Sequence, residues 1–355
     1  MRESDRGGIA VAVRDAVSTL NPGYFALVMG TGIVSVAMGN NHLTGLSLAL
    51  FVVAAAAWVI LVVLHCWRSL RFWGLLRTDF TDPRRGFGFF TFVAATDVLG
   101  TRFVLAGNHP VAIGLLVVGV LSWFALGYIV PWTAVLNPSI RPALTGANGT
   151  WFIWVVANQS VAVLAAALEP TVGTGRRELA LVAVFSWAVG TFLYAAVAVL
   201  VIARLLLYPL RPIDFTPPYW VAMGATAITV LAGARIVGMA DAPTVAATRG
   251  LIAGASVIFW AFGTWLIPVL GAAAWWRHVT HRIPLRYDAT MWSIIFPLGM
   301  YGVAAHYLGI ADNLPIIRVI GEVVSWIALG AWTVVFVAMI AHLATTLIIR
   351  PLHAR

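Results

Sequence analysis

Residues 24–37 read YFALVMGTGIVSVA and residues 291–304 read MWSIIFPLGMYGVA. Laid over one another without a gap, both open on a pair of large side chains, both place glycine eight residues on (Gly32 and Gly299), and neither carries a charge. Three more segments join the alignment: FFTFVAATDVLGTR from Phe89, WFIWVVANQSVAVL from Trp151 and YWVAMGATAITVLA from Tyr219. The five starts lie 65, 62, 68 and 72 residues apart. That period holds one apolar helix, a turn, a second apolar helix and a return loop, so the chain reads as a fivefold repeat of a helical hairpin.

Composition sets the solvent. Of the 355 residues, 61% are hydrophobic and 10% charged, against about 25% charged in soluble domains. This is an all-α integral membrane protein. A hydrocarbon core about 30 Å thick needs roughly 20 apolar residues per helix. Ten spans meet the requirement, at 21–39, 45–66, 87–107, 110–130, 149–168, 179–203, 218–239, 250–274, 289–309 and 319–345. The single transmembrane domain then covers 21–345, between an amphipathic segment over 1–20 and a short tail over 346–355.

All 22 basic residues are arginine, and arginine in short loops is retained on the cytoplasmic side. With the N-terminus inside, inner loops and tails hold 16 of them (among them Arg2, Arg6, Arg84, Arg85, Arg141, Arg204, Arg211, Arg277, Arg286, Arg350 and Arg355) and outer loops hold four. Both termini are therefore expected in the cytoplasm, the membrane being the plasma (inner) membrane. The net charge of +9 follows from this asymmetry and is not a nucleic-acid footprint. Ile9, Val13, Val17 and Leu20 share one helical face, suited to the inner membrane surface where lipid headgroups lie. The one cysteine, Cys66, makes neither an intrachain disulfide nor a metal cluster.

Seven residues after each start stand Thr31, Thr96, Asn158, Thr226 and Leu298, with Gly30 and Pro297 before and Gly32, Asp97, Gln159 and Gly299 after. Small and polar residues at mid-membrane depth have two readings. They let helices pack closely, Thr bonding back to its own helix, or they line a polar route. Their recurrence in successive hairpins favours a central pathway lined by the odd helices, the even helices forming an outer, lipid-facing ring. Two residues earlier, Met29, Ala94, Val156, Gly224 and Phe296 form a ring of which only Phe296 is large enough to fill an axis. Pro297 removes a helix hydrogen bond directly after it, and Gly299 loosens the chain, as for a plug on a hinge. Interhelical packing of Phe296 beside an ordinary kink is the alternative.

Asp97 and Arg102 on one odd helix and Arg235 on another read either as a structural ion pair or, for Asp97, as a proton-coupling carboxylate. The sequence has no GxSxG elbow, no HExxH and no GxxxxGK loop, and His278 and His281 stand alone in an arginine-rich loop, so neither enzyme, metal nor cofactor is indicated.

The segments NPGYFALVMGTGIVSVA (21–37) and WSIIFPLGMYGVAAHYLG (292–309) resemble the tellurite-resistance/dicarboxylate transporter (TehA-like) family, related to malic acid transport and sulfite efflux proteins and to plant slow-type anion channels. The resemblance covers essentially the whole chain. It implies ten helices in five hairpins around a pore in each protomer, a homotrimer, and occlusion of the pore by a phenylalanine of the ninth helix, where Phe296 falls. It implies passage of small inorganic or organic anions, either through a channel or by a proton-coupled carrier or efflux protein for C4-dicarboxylates such as malate or oxyanions such as sulfite and tellurite. Asp97 has no counterpart in the motifs that carry the resemblance.

Overall fold

A computed structural model describes residues 3–136, 142–239 and 242–349, and for 3–9, 135 and 348 the backbone alone. Arg2, Arg141, Arg350, Arg355 and the tail from 350 lie outside the described residues, as do the side chains of Arg6 and Ile9. Twelve α-helices follow in chain order: α1 Glu3–Ser18, α2 Ala26–Asn40, α3 Thr44–Arg71, α4 Trp73–Thr81, α5 Phe90–Leu105, α6 His109–Leu136, α7 Phe152–Leu168, α8 Arg176–Leu207, α9 Val221–Val237, α10 Pro243–Trp275, α11 Trp292–Ala311 and α12 Pro315–Ala344. Among the described residues there is no strand.

Among the described residues ten helices are long and apolar enough to cross a membrane, and they coincide in number and order with the ten expected spans. The even spans are longer than hydropathy indicated. α10 starts at Pro243, seven residues before the expected 250, because Pro243 suits the first turn and Arg249, excluded from a hydropathy span, is accommodated by donating to the Met239 carbonyl at 2.8 Å. α3 continues to Arg71 because Arg68, buried, pairs with Asp79 of α4 at 2.8 Å.

Burial divides the helices in two. In the most apolar windows of the odd spans 67–94% of residues are buried inside the chain, against 11–28% in the even spans. The odd spans α2, α5, α7, α9 and α11 each pack on the next, and α11 packs back on α2, which closes a ring of five. Each also packs against the helix that follows it in sequence: α3, α6, α8, α10 and α12. Four of these connections turn through a residue in the left-handed region, namely His42, Gly107, Gly175 and Asn313.

Each odd span opens with a 3-10 turn at the aligned segment start: Pro22–Phe25, Gly86–Phe89, Gly149–Trp151, Pro217–Trp220 and Ala289–Met291. Three of the turns are capped by a side chain three residues before the aligned start. Asn21, Asn148 and Asp288 accept from the backbone N–H of Gly23, Thr150 and Thr290, each at 2.8 Å. The five turns pack on one another in a closed circle. The seams need glycine: a Cβ on Gly88 would stand 3.2 Å from the Gly23 nitrogen, and one on Gly149 would overlap the Pro218 backbone.

The N-terminal segment is the helix α1, with Val17 buried and Val13 and Leu20 half-buried. It packs on α3, and Arg68 Nε donates to the Ser18 carbonyl at 3.1 Å.

Candidate functional site

Helical periodicity fixes which side chains meet the axis of the inner ring. Counting from the aligned starts, a helix brings positions +5, +9, +12 and +16 to one face at about 100° per residue. A small cavity is lined by position +9 of every inner helix (Ile33, Val98, Ser160, Ile228, Met300), by position +12 of every inner helix (Val36, Thr101, Val163, Leu231, Val303) and by Arg235 at +16. The gap-free register of the sequence repeat is therefore the register of the ring. The cavity holds about 10 Å³ of space open to water, room for about one molecule. Its walls are hydrocarbon except at Ser160, Thr101 and Arg235.

On the N-terminal side of the inner helices lies a vestibule of about 1170 Å³. Every lead-in turn contributes to it, through Gly23, Gly88, Thr150, Tyr219 and Met291, so five helix N-termini face this space. Six arginines line it (Arg84, Arg85, Arg204, Arg211, Arg277, Arg286) against two aspartates, Asp214 and Asp288. Arg211 pairs with Asp214 at 2.8 Å. Arg85 pairs with Asp79 at 2.9 Å, while Arg204 and Arg277 donate to backbone carbonyls of Thr145 and Phe215. Cations and helix N-termini together make this end attractive to anions. Tyr287, in its wall, stands with its hydroxyl 3.0 Å from that of Tyr24, and burial together with the Tyr24 hydroxyl pushes the Tyr287 phenol up.

The vestibule reaches Ser293 and Ile295 on α11, and the axial cavity begins at Met300 on the same helix. Phe296 lies between them along α11 at position +5, which periodicity assigns to the face of +9 and +12, and is 1% exposed. Pro297, one residue on, is met by α9: a Cβ on Gly224 would stand 2.8 Å from the proline Cγ. α11 continues through Pro297 as one helix, and the proline leaves the Ser293 carbonyl, in the vestibule wall, without its helical donor.

The polar belt does not share this axis. Position +7 is two residues, about 200°, from +5 and so faces outward. Trp58 of α3 donates to Thr96 Oγ1 and Trp332 of α12 to Thr31 Oγ1, both at 3.0 Å. Thr226 meets α10, where a Cβ on Gly263 would overlap its hydroxyl. Asn158 and Gln159 meet α8, where one on Gly190 would stand 2.6 Å from Gln159 Nε2. Gly30, Gly32 and Gly299 sit at seams between inner helices, with Ile295, Val98 and Ile33 as near neighbours. Of the two readings of the belt, close packing describes these residues; they hold the inner ring together and bind it to the outer one.

The expected ion pair is absent among the described residues. Asp97 and Arg102 are five residues apart, about 140° around the helix, and point to different neighbours. Ser160 Oγ donates to Asp97 Oδ2 at 2.8 Å, and the carboxylate packs on Gly119 of α6. Arg102 donates from Nε to Ser35 Oγ at 2.9 Å and from Nη2 to Ser47 Oγ at 3.1 Å, its guanidinium over the Phe51 ring. Arg235 lies over the Tyr307 ring, 4.4 Å from its centroid.

Sequence reasoning missed the axial positions +9 and +12 and a second repeat, the outer-helix tryptophans Trp58, Trp123, Trp187, Trp260 and Trp332. Four of them reach the inner helix of the following hairpin, Trp187 by donating to the Thr229 carbonyl at 3.1 Å and Trp260 by lying near-parallel to the Tyr301 ring. Their spacing of 65, 64, 73 and 72 residues could have revealed them.

Residues 19–340 match the sequence pattern of the voltage-dependent anion channel (SLAC1) family. The chain belongs to that family. Voltage-dependent anion channel family membership makes it a multi-pass membrane protein of an anion-transport class. An uncharacterized membrane protein of Mycobacterium tuberculosis is 69% identical over 156 residues, 44% of this chain and 79% of its own. Two uncharacterized transporters of Methanocaldococcus jannaschii are 26% and 25% identical over 330 and 332 residues, each covering 91% of this chain and 93% and 95% of their own.

Proposed function

We propose that the chain carries small anions along the axis of the inner ring, from the arginine-lined vestibule to the end marked by Arg235, and that Phe296 closes the route. One observation supports the gate: on α11 the vestibule ends at Ile295 and the axial cavity starts at Met300, and the buried Phe296 stands between them at position +5. An apolar constriction of this kind excludes hydrated ions until a side chain moves. The vestibule gathers anions through its arginines and helix N-termini, and the apolar walls beyond hold them weakly enough to leave.

The arginine asymmetry supports placing both termini, and so the vestibule, in the cytoplasm of a cell bounded by its plasma membrane. The homotrimer implied by the family resemblance belongs to the same reading. Reconstitution of the full chain into liposomes tests the gate: Phe296→Ala raises anion flux severalfold, and a well-folded variant with unchanged low flux overturns it. A second reading, proton-coupled carriage of dicarboxylates or oxyanions, is favoured by one contact. Asp97 lies a single hydrogen bond from the axis through Ser160.

A further inference from the structure

Arg235 is the cation that lines the axial cavity. It stands at position +16 of α9, and the ring beneath its guanidinium, Tyr307, stands at +16 of α11. Its Nε and Nη2 atoms are both buried, and among the described residues neither has a hydrogen-bond partner. Among the described residues no carboxylate lies within ion-pair distance of it. Two other arginines near the spans use those same two atoms. Arg68 donates from Nε to the Ser18 carbonyl and from Nη2 to Asp79, and Arg102 from Nε and Nη2 to Ser35 and Ser47.

Nε–H and Nη2–H are the two parallel donors on one edge of a guanidinium, the edge that takes two oxygens at once. A guanidinium whose forked edge is buried and unfilled is costly unless an anion completes it. Stacking on Tyr307 holds the plane still, so the donors are set before a ligand arrives.

We propose that Arg235 forms an oxyanion site at the end of the axis, where the one-water cavity widens on binding to take a planar two-oxygen group, nitrate or carboxylate, edge-on in preference to a halide. The assignment deepens the transport reading, since it takes the axis as the anion route. A halide can only bridge the two donors with bent hydrogen bonds, whereas each oxygen of a planar group lies along one N–H, so the site selects by ligand shape as well as charge.

Thermal unfolding of the purified full chain in matched sodium nitrate, formate and chloride tests the site without requiring transport. Nitrate and formate raise the wild-type midpoint above its value in chloride. Arg235→Gln abolishes that difference, and Arg235→Lys, which keeps the charge but not the forked edge, narrows it. A wild-type chain that responds alike to all three salts overturns the proposal, as does an Arg235→Gln variant with the wild-type response. If Arg235→Gln does not fold, Arg235→Lys and Tyr307→Leu decide on the same criterion. In liposomes, the nitrate-to-chloride flux ratio falls about tenfold in Arg235→Lys, the worth of about one hydrogen bond. Wild-type liposomes with no anion flux overturn the transport reading alone, because the unfolding data judge the site separately.

Discussion

The indole N–H of Trp332 donates to Thr31 Oγ1 at 3.0 Å, joining the last membrane helix to the first. The same pairing recurs between Trp58 and Thr96 at 3.0 Å. Each bond crosses from an outer helix to the inner helix of the next hairpin, so the Trp332 pair closes the circle. Hydrogen bonds between membrane helices are worth about 0.6 kcal/mol on average. Thr31→Val and Trp332→Phe are each expected to destabilise the chain, and the double variant by less than the sum, with a coupling of about 0.6–1 kcal/mol. Reversible unfolding in mixed micelles measures it; additive effects would show the bond to be idle.

Gly224 is a tight fit against a rigid ring. A Cβ there meets Pro297 Cγ at 2.8 Å, its Cβ at 3.1 Å and its Cα at 3.2 Å. None of these atoms is the end of a flexible chain, so Gly224→Ala must displace α11 from α9. The expected cost is about 1–3 kcal/mol, with a change in flux because Phe296 moves with the proline. Unfolding and liposome flux on the same preparation check both.

A series at position 296 separates gating from packing. Flux is expected to rise in the order Phe, Leu, Val, Ala as the side chain shrinks, while Phe296→Tyr stays closed. A structural role predicts falling stability along the series without added flux.

Asp97→Asn is nearly isosteric and keeps an oxygen for the Ser160 hydroxyl. If Asp97 couples protons, the variant loses pH-driven accumulation and retains downhill exchange of labelled substrate. If the protein is a passive channel, flux in wild type and variant is indifferent to a pH gradient.

Asp214 and Arg211 form an ion pair in the vestibule wall. Hydrogen bonds from Arg211 hold the Asp214 carboxyl below the usual carboxylate range and raise the guanidinium in turn. A carboxyl depressed in the folded state contributes stability above its unfolded pKa and loses it as pH falls through the lower folded value. Between about pH 5 and 8, above the ordinary carboxylate range, Asp214 therefore stays charged. Asp214→Asn is expected to raise flux at low salt, by removing a vestibule anion, and to leave the slope of flux against pH in that window unchanged.

The ten spans and the alignment of the inner helices were legible because each rests on composition or on a gap-free period. Positions +9 and +12 of all five segments converge on one cavity, which uses the register begun at Tyr24, Phe89, Trp151, Tyr219 and Met291. Which face meets the axis was harder to read. An inner helix such as α7 is buried on every side, so no apolar stripe distinguishes its faces, and Thr or Gly looks alike at a seam and in a channel wall. Angular bookkeeping would have separated the ring at +5 from the belt at +7, and Asp97 from Arg102. The outer tryptophans were passed over because an indole in an apolar span reads as lipid-facing, although its N–H still needs an acceptor.

The circle of lead-in turns has a consequence for biogenesis. Turn Pro22–Phe25 packs on Gly86–Phe89 and also on Ala289–Met291, its neighbours in space but the second and the last in order of synthesis. Until the fifth hairpin is inserted, the first and fourth each wait in the bilayer with an unmatched flank. The enclosed axis exists only once the final pair of helices arrives, so a nascent chain short of that pair is an open arc.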